Sequence, residues 1–136
     1  NCMNTASGQA KPTYDTSRII GVVLPDDGTD LDLIRALRDE KNVIASTAIT
    51  CRGIGILESV RDAVKGKLPP SELVRLVTVI VPDSEAKDLF EFIYEKANIG
   101  REAGGGVWMG MPISATRYTL PSGVPDERMR TRHDDE

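Results

Sequence analysis

Arginines set among glycines are the residues of this chain whose types and spacing can do chemistry. Arg52-Gly53-Ile54-Gly55 is one such group, and Asn98-Ile99-Gly100-Arg101-Glu102-Ala103-Gly104-Gly105-Gly106-Val107 is the other. Glycine lets the backbone approach closely and turn its N–H groups toward a single anion. A guanidinium adds a forked, permanently charged donor. Gly100, Gly104, Gly105 and Gly106 can form such a cradle, with Arg101 supplying charge. Each has a plainer reading. The glycine run can be a turn between a helix and a strand. Arg52 can pair with Glu58 on the surface, Gly53 and Gly55 can simply open a loop, and Thr47 can be an ordinary strand residue. On the loop alone the plain reading leads. With Arg52 and Arg117 converging on it, anion binding leads.

Catalysis finds little support. The one histidine, His133, lies in a charged tail with no cysteine or carboxylate at ligand spacing, so neither a nucleophile–histidine pair nor a metal site is expected. Asp26, Asp27 and Asp83 fall in turns and cap positions that need carboxylates structurally. Cys2 and Cys51 make no disulfide framework and read as reduced thiols of a reducing, cytoplasmic compartment. The net charge of −4 argues against a nucleic-acid surface. No apolar run approaches the ~20 residues that span a bilayer, and Asn1 to Thr16 lacks the apolar core of a secretory signal.

The elements that must position these residues follow from periodicity. The 136 residues suffice for one domain, whose core must be aliphatic because aromatic residues make up only 4%. Residues 1–16 read as a flexible leader and 122–136 as a charged tail, leaving 17–121 as the folded domain. Arg18 to Leu24 has the continuous β-branched look of a buried strand. Thr29 or Asp30 is expected to cap a helix with Leu31, Ile34 and Leu37 on its apolar face, closing at Lys41-Asn42. Val43 to Cys51 reads as the next strand, followed by a polar excursion to Glu72 with Pro69-Pro70 near its end. Leu73 to Val81 is the strongest strand, and a second helix starts at Pro82-Asp83-Ser84 with a stripe of Ala86, Leu89, Phe90, Ile93 and Ala97. Val107 to Leu120 holds the last strand, with Pro112 inside it. This β-α-β-β-α-β order predicts an α+β, ferredoxin-like sandwich: an antiparallel sheet with two helices on one face. The bare second face predicts oligomerisation.

Four joints of this framework resemble the nitrogen-regulatory PII superfamily. They are Ala45-Ser46-Thr47 with Arg52-Gly53-Ile54-Gly55 five residues on, the long excursion where that family carries its T-loop, the phosphate-binding B-loop at Asn98 to Val107, and Arg117 in the last strand. The resemblance covers Arg18 to Leu120. It implies a homotrimeric, non-enzymatic signalling protein of nitrogen regulation. An adenine nucleotide (ADP, AMP or ATP) would sit between subunits on Thr47, Arg52, Gly53, Gly55, Gly100, Arg101, Gly104, Gly105, Gly106 and Arg117. Residues 53–72 would signal to a regulated enzyme or membrane transporter and stay mobile without it. The chain departs from the family at Gly106, where a lysine is usual, and at Thr119, where a second arginine is usual; its excursion is short and carries no tyrosine. It therefore resembles a divergent, PII-like member. A CutA-like trimeric ligand sensor without nucleotide binding is the alternative, although it would call for metal ligands. An acylphosphatase-like hydrolase would want an arginine in Pro25-Asp26-Asp27-Gly28-Thr29-Asp30, which has none.

Overall fold

The computed structural model describes residues 13–57 and 65–116. The expected tail, Arg117, Thr119, Glu58 and most of the leader lie outside these residues. Strand β1 (Tyr14–Pro25) leads through a short turn to helix α1 (Thr29–Lys41), then β2 (Thr47–Ile54), β3 (Ser71–Pro82), α2 (Asp83–Lys96), β4 (Gly106–Met109) and β5 (Ile113–Thr116). All strand pairs are antiparallel, in the order β2-β3-β1-β4, with β5 also on β1. This is the ferredoxin-like sandwich anticipated from the element order.

Alternation along the strands separates the two faces. Ile20, Val22 and Leu24 of β1 and Val77, Val79 and Val81 of β3 point to the helix side and are almost wholly buried. They meet Leu33 and Leu37 of α1 and Ala86, Leu89 and Ile93 of α2. Each large side chain so buried contributes about 1.5–3 kcal/mol. The α2 stripe matches the spacing in the sequence. The α1 stripe is rotated from the expected one: Leu33, Ala36 and Leu37 are buried, whereas Leu31 is half-exposed. The core shares that face with Asp30, which turns inward to an ion pair, so the helix cannot also bury Leu31 on its neighbouring flank. Asn42 ends α1 in the left-handed conformation, its N–H donating to the Leu37 carbonyl.

The opposite face carries no helix. Thr47, Thr78, Gly21 and Trp108 form one row across it, and Ile49, Leu76, Val23 and Gly106 the next. Trp108 lies flat over Gly21, where an added Cβ would stand 2.2 Å from its ring. Ile49, Ile80 and Trp108 are each about half-exposed on this face.

Three element boundaries differ from those read in the sequence. β1 begins at Tyr14, inside the segment expected to be leader, because Tyr14 to Ser17 pair with β5. The ladder between β2 and β3 runs beyond Cys51 to Gly53↔Glu72 and Ile54↔Ser71, so the ends of the expected 53–72 excursion are paired strand. The last strand is broken in two. From Ile20↔Met109 to Ser17↔Ile113 the register slips by one residue, a β-bulge at Gly110 to Pro112. Pro112 has no N–H to give the ladder, and the Gly110 N–H donates to the Ile19 carbonyl at 2.9 Å as pairing lapses.

Candidate functional site

The C-terminal end of β1 gathers three segments: the β1–α1 turn, the glycine loop between α2 and β4, and the far end of the β2–β3 ladder. The glycine loop is held there by its own backbone. Gly105 has φ +86°, and a Cβ on it would lie 1.8 Å from the Val23 carbonyl oxygen. A Cβ on Gly104 would lie 2.8 Å from the Ile99 carbonyl oxygen, and one on Gly100 2.9 Å from the Tyr94 hydroxyl. Gly104 and Gly105 are thus required by close packing against backbone of the chain itself, whereas at Gly100 the Tyr94 side chain could give way. Gly106 is different: a Cβ there finds only the Val23 Cγ1 at 3.9 Å, an ordinary contact. The N–H groups of Asn98, Ile99, Arg101 and Gly104 donate to carbonyls of Glu95, Tyr94, Asn98 and Arg101. These four are engaged in shaping the loop and are not offered to an anion there.

Arg101 is a side-chain donor of this loop. Its Nη2 donates to Asp27 Oδ2 at 2.9 Å and to the Thr29 hydroxyl at 3.1 Å. Asp27 Oδ1 in turn accepts from the Thr29 N–H at 3.0 Å and from the Thr29 hydroxyl at 2.5 Å. The N-cap of α1 is therefore Gly28, not the expected Thr29 or Asp30; its φ of +89° suits a glycine, and Asp27 just before it takes the Thr29 N–H. The Arg101 Nε is buried and has no partner among the described residues. The Thr29 hydroxyl first, then its N–H and the Arg101 charge, hold the Asp27 carboxyl below its ordinary value, against a weaker opposing effect of burial. A lowered folded pKa means stability that is present at neutral pH and lost as pH falls through that value. Asp27→Asn is expected to lower unfolding free energy at neutral pH by no more than about 1 kcal/mol, because the ion pair is largely solvent-screened. Chemical denaturation at neutral pH and near pH 2 checks this, and the gap between wild type and variant should close in acid.

Next to Thr29, Asp30 turns the other way. It is 2% exposed and accepts from Arg75 Nε at 2.7 Å, while Arg75 Nη1 donates to Thr50 Oγ1. This bridge fastens the start of α1 to β3 and β2. Arg18 likewise donates to Asp83 at 2.6 Å and anchors the start of α2.

Of the residues singled out in the sequence, Arg101 and Gly100 to Gly106 are together. Arg52, Gly53 and Gly55 lie at the same end of the sheet but on its other edge, three strand spacings or about 14 Å away. Arg52 is exposed and donates to Ser71 Oγ at 3.3 Å. Gly53 is packed under Ile56, and Gly55 turns with φ +68°. Thr47 is exposed at the opposite end of β2 on the helix-free face. Asp27, Thr29, Asp30 and Arg75 were missed as site neighbours. Arg75 had a visible signal, since a charge inside the most apolar strand must find a partner. A shallow depression between the helices, lined by Lys41, Glu85, Asp88 and Leu89, holds none of the candidate residues.

No protein-family model and no curated sequence matches the chain. Solved structures that share its fold include two of different kinds. One is GlnK of B. subtilis in complex with ATP, at 15% identity and a TM-score of 0.54, covering 72% of this chain and 83% of that one. The other is CutA of Synechococcus elongatus, at 8% identity and a TM-score of 0.57, covering 80% and 87%. The ferredoxin-like fold is common to all three. Among the described residues no helix is long and apolar enough to cross a membrane.

Proposed function

We propose that the chain is a PII-like regulatory protein, not an enzyme, which binds an adenine nucleotide between the subunits of a homotrimer and signals to a partner protein through residues 53–72. The observation that supports this reading is that the glycine loop with Arg101 lies at the same end of the sheet as the far end of the β2–β3 ladder, three strand spacings across it. A ligand on the loop would then act at the end of the sheet from which the signalling segment extends. The helix-free face with Ile49, Ile80 and Trp108 offers apolar surface for subunit contact. Such contact would bring Thr47 and Arg117 of a neighbouring subunit toward the loop. The ATP complex of GlnK, on the same fold, supports a nucleotide as the ligand. The CutA-like sensor is favoured instead by one feature, the engagement of the N–H groups of Asn98, Ile99, Arg101 and Gly104 within the loop.

Calorimetry against ATP, ADP, AMP and cyclic AMP, with and without magnesium, separates the two, alongside light scattering for the trimer. Each charge-assisted hydrogen bond contributes about 1.5–3 kcal/mol. Loss of the family's lysine and second arginine thus favours ADP or AMP at least as much as ATP. Arg117→Ala is expected to weaken nucleotide binding by about tenfold or more and leave the trimer intact. Gly106→Lys, whose Cβ would meet only an ordinary contact, is expected to strengthen ATP binding by a similar factor. Absence of heat with every adenine nucleotide at millimolar concentration removes the nucleotide reading and leaves the sensor.

A further inference from the structure

The carboxylate of Asp27 accepts three hydrogen bonds: from the Thr29 N–H, the Thr29 hydroxyl and the Arg101 guanidinium. A main-chain N–H in the first turn of a helix, a hydroxyl and an arginine fork are together what a phosphate oxygen group requires. The Arg101 Nε, buried and unpartnered among the described residues, is a further donor of the same guanidinium. The carboxylate that fills this niche is not packed in. Asp26, Asp27 and Gly28 are exposed, and nothing lies within 4 Å of where a Gly28 Cβ would be. The start of α1 is tied to the sheet through Asp30 and Arg75, independently of Asp27.

We propose that Asp27 is the specificity-determining residue of an anion site formed by Arg101, Thr29 and the start of α1: its carboxylate occupies the site as a built-in competitor, and a ligand's phosphate group binds by displacing it. The proposal deepens the reading of Arg101 as a ligand residue and needs no adenine. A displaced Asp27 stays close enough to repel its replacement, and the repulsion grows with the ligand's charge. The site consequently ranks monophosphates above polyphosphates relative to the same site without the carboxylate. The lowered pKa of Asp27 agrees with a carboxylate held by donors suited to anions.

The test uses pyrophosphate as probe, titrated calorimetrically into the full chain as wild type, Asp27→Asn and Asp27→Asn/Arg101→Gln. Asparagine keeps the acceptor for the Thr29 N–H and removes the charge. Asp27→Asn is expected to bind pyrophosphate about tenfold tighter, since both the ion pair to be broken and the repulsion disappear. Orthophosphate should gain less, and the double variant should lose the gain. Equal pyrophosphate affinity in wild type and a folded Asp27→Asn overturns the proposal, as does a gain that survives loss of Arg101. Should Asp27→Asn not fold, the side-chain Nε–H resonance of Arg101 in the wild type decides. It shifts on adding excess pyrophosphate if the niche takes anions, and stays fixed if it does not. Because the probe has no base, a gain in pyrophosphate binding without nucleotide binding would retain this site and remove the nucleotide reading, and the reverse result would do the opposite.

Discussion

Gly105→Ala is expected to destabilise the protein by at least about 3 kcal/mol. Two independent penalties act at this position. The backbone has φ +86°, a region in which an L side chain is strained by about 1–2 kcal/mol. The added Cβ would also stand 1.8 Å from the Val23 carbonyl oxygen, with the Val23 carbonyl carbon 2.9 Å away. The obstructing atoms are backbone of the central strand, so relief requires moving the loop off β1. Gly106 enters the ladder opposite Val23, and such a shift would carry the start of β4 with it. Against a total stability of about 5–15 kcal/mol for an ordinary domain, a loss of this size is readily seen in a urea midpoint. Gly106→Ala is the matched control. Its Cβ meets only an ordinary contact, and the change should alter stability by less than about 1 kcal/mol. If both variants melt like the wild type, the close approach of the loop to Val23 is not as described.

Arg75→Leu should have a comparable effect for a different reason. It leaves the Asp30 carboxylate, whose side chain is 3% exposed, without its cation. Removing one partner of a buried ion pair costs about 3–5 kcal/mol, since the remaining charge stays desolvated. The same principle predicts recovery: replacing both residues, as Asp30→Leu/Arg75→Leu, should return most of the loss. Thermal and urea unfolding of the two single variants and the double variant gives the coupling directly. A loss below about 1 kcal/mol for Arg75→Leu would mean that water reaches Asp30 and the bridge is ornamental. Because this bridge joins α1 to β2 and β3, its loss should also loosen the end of the sheet at which the glycine loop sits.

The order of strands and helices was legible in the sequence because periodicity is a local property of each segment. Ala86, Leu89, Phe90, Ile93 and Ala97 define the buried stripe of α2 wherever that helix is placed, and the apolar runs of β1 and β3 demand burial on a central position of a sheet. From these alone followed the antiparallel sheet with two helices on one face. The strand ends were not legible. Tyr14 to Thr16 and Ser71 to Glu72 are polar or mixed, and they are strand only because a distant partner supplies their ladder. The break at Gly110 to Pro112 was signalled by the proline, but its consequence, a one-residue slip against β1, exists only once β1 is paired.

The glycine loop divides in the same way. Its composition marked it as a place of close backbone approach, and so it is. What approaches closely was decided by tertiary structure: at Gly105 it is the Val23 carbonyl of the chain itself. Arg101 was recognised as a charge in search of an anion. The carboxylate it meets belongs to Asp27, 74 residues earlier in the chain, and Arg75 meets Asp30 across 45. The sequence by itself determined which segments are helix or strand and which faces are apolar, because those depend on neighbours within a few turns of chain. Only the tertiary structure decided which charges pair and which glycines are filled from within, because Coulomb attraction and steric contact depend on distance in space and not on separation along the chain.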